Sequence, residues 1–211
     1  QLLIVIAVEP LFSEDLTGRA LAGAFSADIT PVIILNKCDL TESLPRARAL
    51  LSDMSALGVR IIETSTLQPQ TLRDSLLPLL ADKTSLLLGQ SGMGKSSILN
   101  ILVPEARADT QAHSIALGTG KHTTTSSRLY HLPDAGGDLI DSPGFQAFGL
   151  KHLGQTEVEQ GFPEFGPYSQ NCRFYNCTHR HEPGCGVLAA KEQGLISIKR
   201  HELYLRILAE S

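Results

Sequence analysis

Leu86-Leu87-Leu88-Gly89-Gln90-Ser91-Gly92-Met93-Gly94-Lys95-Ser96-Ser97 is the stretch on which the fold turns. Three leucines make a short apolar run suited to a buried parallel strand, a glycine-rich turn follows, and Ser96-Ser97-Ile98-Leu99-Asn100 opens a helix. This is the pattern of a phosphate-binding loop. Its backbone N–H groups would curl around phosphate oxygens, which the positive end of the next helix also attracts. Gly92 and Gly94 permit the close backbone approach, Lys95 would reach β- and γ-phosphate oxygens, and the Ser96 hydroxyl would hold magnesium. The plainer reading is a Gly/Ser turn between a strand and a helix; the apolar run before it and the helical pattern after it favour the phosphate loop.

Working upstream, apolar runs without alternation fall at 2–8, 31–35 and 59–62. Helical patterns lie between them: one capped by Ser13 over 14–25, one over 42–57 stopped by Gly58, and one over 70–82, kinked or broken near Pro78. Strand and helix alternation with continuously apolar strands predicts an α/β fold, a parallel sheet covered by helices on both faces with the glycine-rich loop on its central strand. Downstream, residues 104–125 show no periodicity, as functional or mobile stretches do. Strands follow at 128–131 and 138–140, joined by Pro133-Asp134-Ala135-Gly136-Gly137, and lead into Asp141-Ser142-Pro143-Gly144-Phe145. Beyond Leu150 glycines and prolines interrupt the chain, a cysteine cluster comes next and two helical patterns close it. We therefore expect a first domain over 1–152 and a small second domain over 153–211.

The 211 residues are 42% hydrophobic, enough for a substantial core, and carry a formal charge of −4, so there is no global basic field for nucleic acid. Lys83, Lys95, Arg107, Lys121 and Arg128 form a local basic stretch that the nucleotide phosphates would use. No run reaches the 18 apolar residues of a membrane helix, and the first run lacks a basic leader and cleavage site; a cytoplasmic protein without a membrane partner is expected. The chain starts at Gln1 inside an apolar run, so further sequence is expected ahead of it.

Asn36-Lys37-Cys38-Asp39 ends a buried strand, where open parallel sheets bind ligands. Asp39 would accept hydrogen bonds from the ring N–H and exocyclic amine of guanine, a donor pair that adenine lacks. Lys37 would lie over the base and brace the phosphate loop, Asn36 would tie backbone segments together, and Cys38 fills a variable position. Alternatively, Asp39 caps a helix. After the next strand, Ser65 is the candidate for backbone support of the base. Asp141 would reach magnesium through water and the Gly144 N–H would serve the γ-phosphate, unless this stretch is a plain turn. Among Thr123, Thr124 and Thr125, Thr124 is the favoured ligand of the same ion.

Cys38 stands apart from Cys172, Cys177 and Cys185, which crowd beside His179 and His181. In a cytosolic chain such spacing suggests a metal ion, not disulfides. Three thiolates and one imidazole would close a tetrahedral structural zinc site through Cys172, Cys177, His179 and Cys185, with His181 the alternative to His179. Such a short segment would draw much of its folding energy from the metal.

The order of these motifs is unusual, because the base-reading motif precedes the phosphate loop. In that order, Asn36-Lys37-Cys38-Asp39, Gly89 to Ser97, Lys121-His122-Thr123-Thr124-Thr125 and Asp141-Ser142-Pro143-Gly144-Phe145 resemble the RsgA/YjeQ family across essentially the whole chain. The resemblance implies a circularly permuted P-loop GTPase followed by a zinc-binding module with C-terminal helices. It also implies GTP hydrolysis in late maturation of the small ribosomal subunit, stimulated by binding that particle and its rRNA, and a monomer with magnesium and guanine nucleotide as cofactors. Members usually carry an N-terminal oligonucleotide-binding barrel, which this sequence does not contain. Lys95 and His122 are the expected catalytic residues, His122 because Phe145 occupies the position from which a polar side chain would orient water. Two other classes stay open: a zinc-dependent RNA or protein binding module holding nucleotide as a structural ligand, and a phosphate-loop kinase, against which Asp39 argues.

Overall fold

Leu2–Ala7 (β1) and Pro31–Asn36 (β2) are buried at every position, as strands covered on both sides must be. The computed structural model describes residues 1–106, 127–147 and 149–211. With Arg60–Glu63 (β3), Thr84–Gly89 (β4), Arg128–His131 (β5) and Asp138–Asp141 (β6), the first two strands build one sheet in the order β3-β2-β1-β4-β6-β5. β1 lies parallel to β2, with Ile4 opposite Ile33, and to β4, with Ile4 opposite Leu88. β2 and β3, and β4 and β6, are also parallel. β5 runs antiparallel to β6, Leu129 facing Ile140, so the sheet is mixed where a parallel one is expected. The turn at 132–137 is too short for a crossover and permits only a hairpin.

The chain forms two compact units, Gln1–Phe12 with Pro31–Phe148, and Ser13–Thr30 with Gly149–Ser211. It thus passes between them three times, whereas the change of sequence texture near 152 suggests one division. The helix Glu14–Ser26 (α1) joins β1 to β2 yet belongs to the second unit.

In the first unit the helix expected over 42–57 is two pieces, Leu44–Leu50 (α2) and Ser52–Ala56 (α3). Pro45 sits in the first turn and delays the start. At the break the Ser52 hydroxyl donates to the Ala49 carbonyl at 2.8 Å, competing with the helical ladder. Pro69–Leu80 (α4) is continuous through Pro78, which lies in its last turn with only Leu79 and Leu80 after it. Lys95–Leu102 (α5) follows directly on the glycine-rich turn.

In the second unit, Ser13 caps α1 by accepting the Leu16 N–H at 3.2 Å. Gln155–Gln160 (α6) ends at Gly161, where a β-carbon would come within 2.7 Å of the Ala22 carbonyl oxygen, so only glycine lets α1 pass this close. The short Gly166–Ser169 (α7), then Gly186–Glu192 (α8) and Ile198–Glu210 (α9), complete the unit. Its centre is aromatic: Phe162, Phe165 and Tyr204 are fully buried, with ring centroids 5.0–5.4 Å apart. Each contributes roughly 1.5–3 kcal/mol by leaving water. Arg200, also buried, lies 4.4 Å over the Phe162 ring and donates to both Glu164 carboxylate oxygens, at 2.7 and 3.3 Å. Among the described residues no helix is long and apolar enough to cross a membrane.

A charged seam ties the first helix of this unit to its last. Arg19 donates to Asp15 at 2.7 Å and to both Glu210 carboxylate oxygens, while Arg206 reaches Asp15 at 2.8 Å. Burial alone would raise the Asp15 carboxyl, but hydrogen bonds from Arg19 and Arg206 outweigh it and hold it below its ordinary value. A depressed folded value stabilises above the unfolded one and is lost as pH falls through the folded one. The unfolding temperature of the unmodified chain should therefore exceed that of Asp15→Asn at neutral pH, and the gap should shrink as pH falls below about 4.

Candidate functional site

The first cluster lies at the C-terminal ends of β2, β4 and β6. Asn36, the last residue of β2, is fully buried and its amide donates to the Met93 carbonyl at 3.0 Å. Lys37 adopts a left-handed φ of 63°, a conformation costing about 1–3 kcal/mol that surrounding bonds must hold. Its Nζ donates to the carbonyls of Glu9 at 2.7 Å and Gly92 at 2.9 Å. The strand-end motif is thus laced to the glycine-rich turn by two side chains from adjacent positions. The Ser65 hydroxyl donates to Asp39, bringing the next strand's loop to the same place. Cys38 gives its thiol to the Leu35 carbonyl at 3.2 Å, and burial pushes that thiol up to about 11, consistent with an inert filler.

Gly94 has a φ of 91°, and a β-carbon there would stand 2.2 Å from Asn36 Nδ2. Both facts demand glycine at the entry to α5. Gln90, Ser91 and Met93 complete the turn from Gly89, and Ser96 and Ser97 lie exposed in the first turn of α5, whose leading N–H groups have no partners within the helix. Lys95 Nζ is paired with the Asp141 carboxylate and donates to the Ser142 carbonyl at 2.8 Å. Ser142 in turn donates to Leu87 O at 2.7 Å, and the Gly144 N–H points to its hydroxyl at 3.4 Å. The buried Asp141 carboxylate beside Lys95, with the exposed Ser96 hydroxyl next in the chain, supplies oxygen donors of the kind a hard divalent cation takes.

The structure thus gathers Asn36, Lys37, Asp39, Ser65, Gly92, Met93, Gly94, Lys95, Asp141 and Gly144 through direct contacts or adjacent backbone. His122 and Thr124 lie outside the described residues. Sequence reasoning gave no role to Glu9, which meets Lys37 through its backbone carbonyl, or to Ser142, which meets Lys95 the same way and uses its hydroxyl only within the neighbouring backbone.

The second cluster belongs to the other unit. The donor atoms of Cys172, Cys177, His179 and Cys185 all lie within 4.8 Å of one another, and this set could hold a metal ion. His179 Nδ1 is 3.6 Å from Cys172 Sγ and 3.3 Å from Cys185 Sγ, and those two sulfurs are 3.8 Å apart. Around a tetrahedral ion with metal–sulfur bonds near 2.3 Å and metal–nitrogen bonds near 2.0 Å, such edges come to about 3.5–3.8 Å. The donor set therefore fits. Backbone N–H groups of Gly186 and Leu188 point at the sulfurs of Cys172 and Cys185, at 3.3 and 3.4 Å. Burial pushes the Cys177 thiol up to about 12, whereas at Cys185 the Leu188 N–H and the His179 ring overcome burial and lower it.

His179, at a left-handed φ of 56°, is held by its neighbours. His201 Nε2 donates to its carbonyl at 2.8 Å, Tyr204 donates to the Thr178 carbonyl at 3.0 Å, and the Glu182 carboxylate accepts the N–H groups of Thr178 and Arg180 at 2.8 and 3.0 Å. His181 is exposed and lies outside the cluster, which contains His179.

The model of the RsgA GTPase family matches residues 1–151. The small ribosomal subunit biogenesis GTPase RsgA of Bordetella pertussis is 64% identical over 211 residues, spanning all of this chain and 70% of its own length. The crystal structure of YjeQ from Thermotoga maritima superimposes with a TM-score of 0.78 at 31% identity, covering all of this chain and 70% of that one. That of YloQ, described as a circularly permuted GTPase, gives 0.78 at 28%, covering all of this chain and 67% of that one.

Proposed function

This chain belongs to the RsgA GTPase family, and from that premise we propose that it hydrolyses GTP as a switch in late maturation of the small ribosomal subunit, activated by binding the particle and its rRNA. The observation that supports this most is the lacing of Asn36 and Lys37 onto Met93 and Gly92, which joins a base-reading strand end to a phosphate loop in permuted order. Asp39 reads the guanine edge with Ser65 beside it. The backbone from Gly89 to Ser97 cradles the phosphates, Lys95 draws charge from the γ-phosphate as it leaves, and the Gly144 N–H serves the same group. The chemistry magnesium supplies when bound is neutralisation of phosphate charge, and Ser96, Thr124 and Asp141 are the residues that would hold it. His122 positions the attacking water, since Phe145 beside Gly144 has no polar group to do so.

Residues 1–152 act as the GTPase domain and 153–211 as a zinc module, with Cys172, Cys177, His179 and Cys185 holding one structural zinc ion. The protein works in the cytoplasm as a monomer. In the unpermuted order the chain after the Asp141 to Gly144 motif returns to the sheet; here it continues into the metal-bearing residues, so a nucleotide-driven change in that motif can reposition them.

The test is GTP hydrolysis with and without purified small ribosomal subunits. Turnover should rise with subunits, and a nucleotide panel should favour GTP over ATP; equal turnover in both conditions would refute the proposal. His122→Ala should lower the stimulated rate by about 10²–10⁴-fold with nearly unchanged GTP affinity, the size of a lost proton-handling or water-positioning group. Unchanged stimulated turnover removes His122 from the mechanism.

A further inference from the structure

The imidazole of His179 offers Nδ1 to the sulfur cluster and keeps Nε2 for something else. That Nε2 is fully buried and has no hydrogen bond of ordinary geometry, yet Glu159 Oε1 stands 3.3 Å from it. Glu159 lies on α6, twenty residues upstream of the ligand it faces and outside the Cys/His motif. Its side chain is 31% exposed, whereas that of His179 is 2% exposed, so the carboxylate reaches inward from a helix surface to a ring that water does not touch.

We propose that Glu159 is a positioning residue of the metal centre: its carboxylate accepts a hydrogen bond from the Nε2–H of His179, keeping the proton on Nε2 in the tautomer that leaves the Nδ1 lone pair for the metal. The inference rests on the metal reading of the four-donor cluster. Its logic is general. A neutral imidazole carries one proton, and a ring free to hold it on either nitrogen spends part of its time with the ligating atom blocked. A carboxylate facing the far nitrogen removes that ambiguity, holds the ring plane, and makes the near nitrogen a better donor. The other anchors of His179 act on its backbone, namely His201 on its own carbonyl and Glu182 on the flanking N–H groups. They place the residue but leave the ring's proton unassigned. The edge-on Phe165 ring, 5.8 Å from the imidazole centroid, packs the ring without offering an acceptor.

Zinc affinity of the full chain, measured by competition with a chromogenic chelator, tests the idea together with thermal unfolding of the zinc-loaded and metal-free forms. Glu159→Ala should weaken zinc binding by about 10–100-fold, the usual effect of removing a carboxylate behind a ligating histidine. Glu159→Gln, whose amide oxygen can still accept a hydrogen bond from Nε2–H, should fall between the two. The melting temperature of the loaded form should drop in Glu159→Ala while that of the metal-free form stays put. Equal affinities for the unmodified chain and Glu159→Ala overturn the proposal, as does an equal drop in melting temperature with and without zinc, which would make Glu159 a packing residue only. Should Glu159→Ala fail to fold, Glu159→Gln carries the comparison. If the unmodified chain itself binds no zinc, the metal reading fails, a result separable from any difference among the Glu159 variants.

Discussion

Lys95→Ala should reduce GTP turnover by about 10²–10³-fold, the cost of removing one charged group that stabilises developing phosphate charge. It should also destabilise the first unit, for a reason that lies in the fold. Lys95 and Asp141 form an ion pair whose side chains are only 11% and 8% exposed. Removing one partner of such a pair leaves a buried charge uncompensated, at about 3–5 kcal/mol. A low rate could therefore be mistaken for unfolding. The double variant Lys95→Ala with Asp141→Asn separates the two effects, since it removes the orphaned carboxylate: melting temperature should recover most of its loss while turnover stays low. Phosphate release and thermal unfolding measured on the same preparations check this. Turnover near the unmodified rate in Lys95→Ala would end the assignment of Lys95 as the phosphate-binding lysine.

The second large effect concerns metal removal. Chelation of zinc, or Cys177→Ser, should strongly destabilise the second unit, lowering its melting temperature, and spare the first. Bound zinc supplies on the order of 10–16 kcal/mol of apparent folding energy to small sites of this kind, more than the aromatic cluster of Phe162, Phe165 and Tyr204 provides. Hydrogen exchange gives the readout. After chelation, amides of α6, α8 and α9 should lose protection, and so should those of α1, although α1 lies between two protected strands in the chain. If α1 instead kept its protection with β1 and β2, it would belong energetically to the sheet.

That last point marks where sequence reading reached its end. The sheet was legible because buried parallel strands leave uninterrupted apolar runs, as in 31–35, and because Gly94 and Lys95 announce a phosphate loop by type and spacing. The Cys/His cluster was legible for the same reason: its residues are of rare types and lie within fourteen positions. The partner of α1 was not. Its pattern says which face is apolar but nothing about what covers that face, and its partners α6 and α9 lie between 139 (Ala22 to Gly161) and 191 (Arg19 to Glu210) positions away. Glu159 escaped too, since a glutamate on a short surface helix resembles any solvated charge until the fold sets it beside His179. The break at Leu51 depended on one hydroxyl, from Ser52, choosing a backbone carbonyl over water.

The seam between α1 and α9 bears on how the chain is made. Arg19 and the Glu210 that anchors it are separated by 191 positions. At translation speeds of about 5–20 residues per second, α1 leaves the ribosome roughly 10–40 s before its docking surface exists. During that wait α1 lacks its cover from α9, while the strands on either side can already pair. A nascent chain would thus hold a formed sheet with a loose helix looped out of it, a target for chaperones that vanishes once the last turn of α9 is synthesised.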